Sequence, residues 1–385
     1  MRIVHVVPTY LPALRYGGPI LAVHGLCRAL AKRGHAVEVF TTSIDGARNS
    51  DVPHGIPVVL DGVKVHYFAS PVLRRLSFAP SLVSALRLAF READVAHVHS
   101  IFLWPTWAAA RLARRSRVPY VISPRGMLVK KLIDARHRLL KSAWISLIDK
   151  SNLEKAAAVH VTSSFEAAEL AKFGWPLRRV AMVPNGVDEL ATAPGKIFDD
   201  IGALADARPL ILFLGRISRV KGLDRLMRAF AHTRAGTLAI IGGDYDGLAP
   251  ALLQLARDLN ISDRVRVIAG TVVGADKEAA FAAATVFVLP SDSESFGNSV
   301  LEAMQRGVPV VVTRDVGAAE IVREANAGIV VEAEVEQLAR AIERLVENPD
   351  LARDMGEAGR RHVTDHYSWD SIAARMEALY ESVRA

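Results

Sequence analysis

Short runs rich in valine and isoleucine alternate with helical patterns along the whole chain, and no other feature constrains the fold as much. The predicted strands, each bounded by turn residues, are Ile3–Val7, Ala36–Thr41, Val63–Phe68, Val95–His99, Val118–Ser123, Ala158–Thr162, Val180–Pro184, Leu210–Leu214, Thr237–Ile241, Val265–Ala269, Val286–Pro290, Val308–Thr313 and Gly328–Val331. Apolar strands separated by helices are typical of parallel sheets covered on both faces. The sequence therefore predicts an α/β fold of doubly wound, Rossmann-like sheets.

A chain of 385 residues is too long for one ordinary hydrophobic core, so we expect two domains. The stretch from Asp188 to Pro209 has weak periodicity and contains proline and glycine, as a linker should. We therefore expect an N-terminal domain at 1–190 and a C-terminal domain at 191–367. A last helical pattern within 368–385 has no strand after it, and we expect it to cross back onto the first domain.

Cysteine usage and hydropathy limit the cellular setting. Cys27 is the only cysteine, which excludes an intramolecular disulfide and suits a reducing compartment. The apolar N-terminal run is too short for a signal peptide, and no run of about 18 apolar residues could span a membrane. We expect a cytoplasmic protein with peripheral contact to the inner face of the cytoplasmic membrane.

Positive charge is concentrated in the first half, where residues 1–190 hold 26 lysines and arginines against 13 acidic residues. Such a surface suits anionic lipid, a phosphorylated acceptor or nucleic acid, or it has no partner. No helix-turn-helix, zinc or RNA-binding signature supports nucleic acid. Trp104 and Trp107 precede several arginines, which suits a membrane interface but equally a helix with buried tryptophans.

Two glutamates lie in the stretch that follows the strand Val286–Pro290. Glu294 is in the loop and Glu302 in the next helical pattern, and open α/β sheets bind ligands beyond the carboxyl ends of their strands. Carboxylates there can accept hydrogen bonds from sugar hydroxyls, and a helix start offers backbone N–H groups to an anion. Taken alone, the two glutamates could equally be solvated surface residues.

Two further segments suit phosphate groups. Gly17 and Gly18 precede the first helix, where backbone can approach a phosphate, although no G-x-G-x-x-G fingerprint is present and turn glycines look the same. Arg216 and Lys221 follow the first strand of the second domain, a place that suits a diphosphate. A pair of solvated charges remains the alternative for them.

These segments, in this order, resemble the retaining glycosyltransferases of family 4, which have the GT-B fold. Leu214-Gly215-Arg216-Ile217-Ser218-Arg219-Val220-Lys221-Gly222 and the stretch from Ser291 to Pro309 carry most of the resemblance, and Pro184-Asn185-Gly186-Val187-Asp188 supports it. The resemblance covers essentially the whole chain. It implies two Rossmann-like domains facing across a cleft, with a nucleotide-diphosphate sugar held mainly by the second domain.

The resemblance also implies roles for individual residues. Arg216 and Lys221 hold the diphosphate, Glu302 binds the ribose hydroxyls, and Glu294 contacts the donor sugar near the reacting carbon. Backbone N–H groups reach the sugar or distal phosphate from a segment of three residues, Phe296, Gly297 and Asn298. Gly17 and Gly18 close over the phosphates. The leaving phosphate, and no protein nucleophile, helps to deprotonate the acceptor, unlike in retaining glycosidases.

The first domain departs from the family pattern. Many members have a histidine close to the donor sugar where Ser123-Pro124-Arg125-Gly126-Met127 stands here. Arg125 occupies that place, and an arginine cannot act as a base near neutral pH. It could hold a phosphate, an acidic sugar or an acidic acceptor, or it could be a surface residue in a turn. His99 ends the fourth strand and is a candidate for acceptor contact or a structural histidine.

We expect no metal and no cofactor. Asp244-Tyr245-Asp246 matches the metal-binding Asp-x-Asp of the other nucleotide-sugar fold, but it follows the second strand of its domain, away from the diphosphate segments. GT-B enzymes generally work without a bound metal.

The expected activity is a retaining hexosyl transfer from a UDP- or GDP-sugar to a hydroxyl acceptor, with a lipid-linked acceptor as one candidate, in the synthesis of cell-surface polysaccharide or glycolipid. Three alternatives stay open: a sugar-nucleotide 2-epimerase of the same fold, a non-catalytic nucleotide-sugar-binding subunit, and a hinged sugar-binding receptor. The pairing of Arg216 and Lys221 with the two glutamates disfavours the epimerase. The missing signal peptide and the cation cluster disfavour the receptor.

Overall fold

The chain divides into two compact units, Met1–Gly186 with Trp369–Ala385, and Val187–Ser368. The computed structural model describes residues 1–130, 133, 138–190, 209–270 and 272–384. The boundary expected after residue 190 stays a prediction, because most of the expected linker, 191–208, lies outside the described residues.

The first unit is built on an eight-stranded sheet whose spatial order is β10-β9-β8-β7-β1-β2-β6-β5. Its strands are β1 (Arg2–Thr9), β2 (Ala36–Thr42), β5 (Val58–Leu60), β6 (Val63–Phe68), β7 (Val95–His99), β8 (Tyr120–Ser123), β9 (Ala158–Val161) and β10 (Val180–Met182). They pair in parallel except for β5, which runs antiparallel to β6 at the sheet edge. The sequence missed β5 and the small hairpin of β3 (Ile44–Asp45) and β4 (Arg48–Asn49), which are short and, apart from the buried Ile44, partly or fully exposed.

Helices cover this sheet, and their bounds are Gly18–Lys32, Ser81–Ala89, Trp104–Arg115, Arg138–Trp144, Lys150–Lys155 and Ser164–Ala171. The sequence predicts one continuous helix from His137 to Lys155, but the structure has a π-helical turn at Ile145–Asp149. A π-helical turn adds a single residue within an otherwise continuous helical stretch, so the helical pattern of the sequence continues through it.

The second unit is built on a six-stranded parallel sheet whose order is β13-β12-β11-β14-β15-β16. The strands are β11 (Leu210–Leu214), β12 (Thr237–Gly242), β13 (Val265–Ala269), β14 (Val286–Leu289), β15 (Val310–Thr313) and β16 (Gly328–Val331). The helices are Leu223–Ala231, Ala249–Asp258, Gly274–Ala283, Asn298–Gln305, Ala319–Glu324, Val335–Glu347 and Pro349–His366. The central strands β11, β12, β14 and β15 are buried almost throughout, as expected for strands covered on both faces.

Both sheets reverse their strand order once near the middle. In the first unit the chain proceeds outward from β1 and returns to pair β7 with β1, and in the second β14 returns to pair with β11. The loops after such paired strands enclose the crevice where open α/β sheets bind ligands. The prediction of two doubly wound parallel sheets is confirmed.

The C-terminal helix Trp369–Arg384 belongs to the first unit, as the sequence predicts. Its Tyr380 is fully buried, and Trp369 packs against Gly25, where an added Cβ would lie 2.3 Å from the indole ring. Only a glycine allows this approach, so the Gly18–Lys32 helix is shaped to receive the end of the chain.

Candidate active site

Lys221 is brought to the end of β14 by the turn that follows β11. Gly222 has φ +62°, and a Cβ there would lie 2.4 Å from the carbonyl oxygen of Pro290. The Asp292 N–H donates to the Val220 carbonyl at 2.9 Å, which ties the two loops together. A glycine after Lys221 is therefore what lets the loops after β11 and β14 meet.

The Lys221 ammonium donates a hydrogen bond to Oε2 of Glu294, and the two side chains are 11% and 22% exposed. The Glu294 backbone is fixed as well, because its N–H donates to the Asp315 carbonyl at 3.0 Å and its carbonyl accepts from Gly317 at 2.8 Å. Because both side chains are largely shielded from solvent, removing one of them would leave the charge of the other uncompensated, which costs free energy. The pair lies where the order of the second sheet reverses.

A second ion pair joins two helices of the second unit, one of which follows the loop that carries Glu294. Lys277, on the helix Gly274–Ala283, donates to Oε1 of Glu302 at 2.9 Å. Gly297, with φ +95°, starts the helix Asn298–Gln305 that carries Glu302, and Phe296 just before it is buried. The segment Phe296–Gly297–Asn298 therefore lies between the two glutamates at the start of that helix.

Arg216 differs from Lys221 although both follow β11. Its side chain is exposed, and among the described residues it has no ion pair to a carboxylate. The structure therefore brings Lys221 and Glu294 together and leaves Arg216 solvated.

The Gly17-Gly18 pair lies between a short 3₁₀ turn, Leu14–Tyr16, and the helix Gly18–Lys32. Gly17 has φ +70° and ψ −142°, a conformation open essentially to glycine alone, and its N–H donates to Leu14 at 2.9 Å. The geometry required for a close backbone approach at this helix start is present in the first unit.

Arg125 follows β8 and is held by hydrogen bonds from both ends of its guanidinium. Nη1 donates to Oδ1 of Asn185 at 3.1 Å, while Nε and Nη2 lie 3.3 and 3.2 Å from Nδ1 of His99. The residue is partly buried, and its guanidinium stays charged at any ordinary pH. Arg125 is thus a cation fixed in direction, which is more than a surface turn requires.

His99 is fully enclosed and has no ring nitrogen to spare. Because Arg125 can only donate, Nδ1 of His99 accepts and its Nε2–H donates to Nδ1 of His5 at 2.9 Å. Burial, and then the Arg125 charge, hold the pKa of His5 at about 3 and that of His99 well below its usual value. Both imidazoles are therefore neutral at physiological pH.

A second chain of hydrogen bonds runs beside the first through three strands, the residue that follows β10 and the C-terminal helix. His160 donates through Nε2 to the Val183 carbonyl at 2.7 Å, so Ser123 must donate to its Nδ1. Ser123 then accepts from Nε2 of His97, whose Nδ1 accepts from the Tyr380 hydroxyl at 2.6 Å. Burial lowers the pKa of both histidines, that of His160 to about 3, so every proton in this chain has a fixed place.

Three of these histidines have the donor set of a metal site. Ligand nitrogens of His5, His97 and His99 lie within 4.8 Å of one another. Both nitrogens of His97 and of His99 are already hydrogen-bonded, and the Arg125 cation lies beside them. A cation would have to displace these partners against that charge, so the residues do not fit a metal ion well.

The Asp244-Tyr245-Asp246 segment has a structural use. Asp244 accepts from the backbone N–H groups of Leu248 and Ala249, both at 2.8 Å, at the start of the helix Ala249–Asp258. Burial alone would raise the pKa of Asp244, but these backbone donors hold it below its usual range. Its carboxylate is engaged at the helix start, as a capping residue is.

The two tryptophans of the helix Trp104–Arg115 are partly buried. Trp104 packs edge-on against Phe78 beside the hydrophobic core, and the Arg111 guanidinium lies 5.9 Å from the Trp107 ring centre. Nowhere in the described part of the chain is a helix both long and apolar enough to cross a membrane.

Sequence reasoning missed most of the buried polar residues around Arg125 and in the hydrogen-bond chain beside it. His5, His97, His160 and Tyr380 carry no motif, and Asn185 was noted only within a supporting segment. One signal was available: His97 and His99 alternate on a strand whose five residues are all buried. A polar residue in such a strand must find a partner inside the protein.

Comparison with known proteins matches the chain to two families in succession. Residues 17–186 match the family described as a glycosyl transferase 4-like domain, and residues 196–362 match glycosyl transferases group 1. The chain is 30% identical over 348 residues to the alpha-maltose-1-phosphate synthase of Mycolicibacterium smegmatis, covering 84% of this chain and 89% of that protein.

Two further relatives have names or complexes that mention a nucleotide. A GDP-mannose-dependent alpha-(1-6)-phosphatidylinositol monomannoside mannosyltransferase of Mycobacterium tuberculosis is 32% identical over 238 residues, 57% of this chain and 60% of that protein. The crystal structure of Anabaena HepE in complex with UDP and glucose superposes with a TM-score of 0.78 at 20% identity, covering 99% of this chain and 100% of that one. The structural likeness shows the fold alone.

The fold and the matched families define a glycosyltransferase. The chain belongs to family 4 of these enzymes and has their GT-B fold, which confirms the resemblance read from Gly215–Gly222 and Ser291–Pro309.

Proposed function

We propose that this enzyme is a retaining hexosyltransferase that moves a sugar from a UDP- or GDP-sugar to a hydroxyl acceptor. The observation that carries the proposal is the Lys221–Glu294 pair at the reversal point of the second sheet. A lysine fixed beside a carboxylate at that edge supplies what a sugar diphosphate needs, a cation for the phosphate and an acceptor for the sugar hydroxyls.

Donor binding is proposed for the second unit. Lys221 and the solvated Arg216 bind the diphosphate. When the phosphate replaces Glu294 as the partner of Lys221, the Glu294 carboxylate becomes available to accept hydrogen bonds from the sugar. Glu302, kept in place by Lys277, accepts hydrogen bonds from the ribose hydroxyls. The backbone of Phe296, Gly297 and Asn298 lies between the two glutamates and can donate to the sugar or distal phosphate.

The proposed chemistry places the growing negative charge on the leaving diphosphate. As the glycosidic bond breaks, the electron pair passes to the phosphate oxygen, and the acceptor oxygen attacks from the same face. The acceptor proton passes to the leaving phosphate, so neither glutamate acts as the nucleophile. Lys221 and Arg216 stabilise the transition state, each such donor contributing roughly 3 kcal/mol. These side chains supply positive charge, and we propose that no metal is required.

Arg125 is proposed to hold an anionic group of the donor or the acceptor, and His99 to position it. The buried, fully bonded His99 touches Arg125 and not solvent, so we assign it to orienting the guanidinium instead of contacting the acceptor. Gly17 and Gly18 are proposed to approach a phosphate through their backbone.

We also propose a role in cell-surface polysaccharide or glycolipid synthesis, with peripheral membrane contact. Leu139 and Leu147 are 85% and 80% exposed on adjoining helical segments of the basic first unit. Apolar side chains amid positive charge suit the surface of an anionic membrane.

The experiment is a transfer assay with a panel of UDP- and GDP-sugars and hydroxyl acceptors, followed by NMR of the anomeric proton. We expect one donor to be consumed and the product to keep the donor's anomeric configuration. An inverted product would overturn the retaining mechanism. Tight nucleotide binding without hydrolysis or transfer for any donor would instead support a non-catalytic subunit.

A further inference from the structure

The first unit has a basic cavity on the edge of its sheet opposite to Arg125 and His99. Its volume is about 570 Å³, within the range of about 300–1,000 Å³ usual for small-molecule sites. The cationic residues that line it are Arg114, Arg117, Lys155, Arg178 and Arg384. No aspartate or glutamate lies among the lining residues, so the cavity concentrates positive charge.

The position of the cavity follows from the parallel strands. Pro119, Ala157 and Arg178 precede β8, β9 and β10, so the cavity lies at the amino ends of these strands. His99 and Arg125 lie at the carboxyl ends, and a four-residue strand such as β8 spans roughly 13 Å. The cavity is therefore separate from the candidate active site.

Most of these cations lack a carboxylate partner. Arg384 pairs with Asp94 at 2.8 Å, but no ion pair joins the other four to an acid within the described residues. Arg114 is held in direction by Oδ1 of Asn152 at 2.8 Å and by the Tyr120 hydroxyl at 3.4 Å. Tyr120 also lines the cavity; burial raises the pKa of its hydroxyl, while the nearby Arg114 and Arg178 charges act against that rise.

Helix ends account for only part of this arrangement. Arg114 and Lys155 lie in the last turns of their helices, where a cation interacts favourably with the helix dipole. Arg117 and Arg178 lie outside helices, in the loops before β8 and β10. Four mutually repelling cations that converge on one cavity without a carboxylate partner are an arrangement suited to a multiply charged anion.

We propose that this cavity binds a ligand bearing two or more phosphate groups, either a free phosphate compound or the headgroup of a phosphate-bearing lipid. The guanidinium groups bind phosphate oxygens in pairs, and Lys155 adds a point charge. Val383 and Arg384 form part of the cavity wall. The bound anion therefore also stabilises the position of the C-terminal helix, which carries Tyr380, against the sheet edge.

The test uses the full chain with two probes, inorganic tripolyphosphate by calorimetry and vesicles with or without cardiolipin, whose headgroup carries two phosphates, by flotation. The variants are Lys155→Glu and Arg178→Glu, both at exposed positions. The matched control is Arg115→Glu, which is exposed in the last turn of the same helix as Arg114 but does not line the cavity. Circular dichroism confirms that all three variants are folded.

We expect at least one probe to bind, each cavity variant to weaken that binding about tenfold, and the control to change it less than about twofold. Loss of tripolyphosphate binding identifies a free phosphate ligand, while loss of vesicle binding alone identifies a headgroup. Failure of both probes to bind, or an equal loss in Arg115→Glu, would show a diffuse positive field and overturn the site.

Discussion

The two units place their candidate residues at the same point of their sheets and use opposite chemistry there. In the first unit, at the carboxyl ends of β7 and β8, the neutral His99 ring, itself hydrogen-bonded to His5, holds one guanidinium. In the second, after β11 and β14, a lysine and a glutamate neutralise each other. In the first arrangement the hydrogen bonds to Arg125 are formed without a ligand, whereas the second must exchange partners when a charged ligand arrives.

The difference shows how one fold supports two kinds of site. A neutral imidazole carries no charge that needs solvation by water. The buried histidines can therefore fix the direction of Arg125 before a ligand binds. A partly buried ion pair keeps both charges available until a phosphate replaces the carboxylate. We expect the polar core of the first unit to be rigid. Substitutions in the second unit should reduce turnover more than substitutions in the first.

The largest effect is predicted for Lys221→Ala and Glu294→Ala in the second unit. Loss of the lysine removes a cation from the leaving diphosphate and leaves Glu294 unpaired, so kcat should fall on the order of 100-fold with the fold intact. Steady-state kinetics checks this. The control is Arg314→Ala, which breaks the exposed Arg314–Glu332 pair and should leave turnover unchanged. Normal turnover in Lys221→Ala would contradict the assignment of the diphosphate-binding site to the second unit.

A somewhat smaller effect is predicted for the first unit. Arg125→Ala should lower kcat/KM roughly tenfold or more, because it removes a fixed cation. His99→Leu should act through Arg125 and give a milder defect, which His99→Gln partly rescues because its amide oxygen can accept from the guanidinium. A loss in His99→Leu that exceeds the loss in Arg125→Ala would mean that His99 contacts substrate itself.

The histidine cluster predicts an acid-sensitive first unit. The pKa of folded His5 is about 3, below that of an unfolded histidine, so the unfolded chain binds more protons as pH falls below about 6.5. Stability is therefore full above that pH and declines by up to about 1.4 kcal/mol per pH unit for each such histidine. Hydrogen exchange read by mass spectrometry should show β1 and β7 losing protection before β11 and β14.

The control for the predicted acid sensitivity is His5→Gln, which removes one titrating group. The stability of this variant should depend less steeply on pH than that of the unaltered protein, whatever its absolute stability. Equal acid sensitivity in the two sheets would contradict the neutral cluster.

The smallest effect is predicted for Lys277→Ala, in the ion pair with Glu302. Without Lys277 the carboxylate loses its fixed direction, so KM for the nucleotide sugar should rise about threefold while kcat stays constant. A lower KM would instead show that Lys277 competes with the ligand for Glu302.

The sequence was sufficient for the architecture because the signals are local. Strand β11 is a continuous apolar run and β7 is apolar apart from its two histidines, and the predicted bounds of both match the structure. The spacing of charged residues within family motifs identified Lys221, Glu294 and Glu302. The turn glycine Gly222 marked the loop that brings Lys221 to Glu294.

What the sequence could not predict depends on contacts between distant segments. The chain from Tyr380 through His97 and Ser123 to His160 joins four elements, and no spacing links them. The ion pair of Lys277 with Glu302 and the basic cavity arise in the same way. Hydrophobic periodicity reports which face of an element is buried but not which polar groups meet there.

The measurement that tests the central claim most directly is a thermal-shift titration of UDP, GDP and their sugars against the unaltered protein and Lys221→Ala. A ligand that binds only the folded state raises Tm with its concentration. We predict a saturable rise for one nucleotide series in the unaltered protein and little or none in Lys221→Ala. An equal rise in both proteins would contradict nucleotide-sugar binding at the Lys221–Glu294 pair.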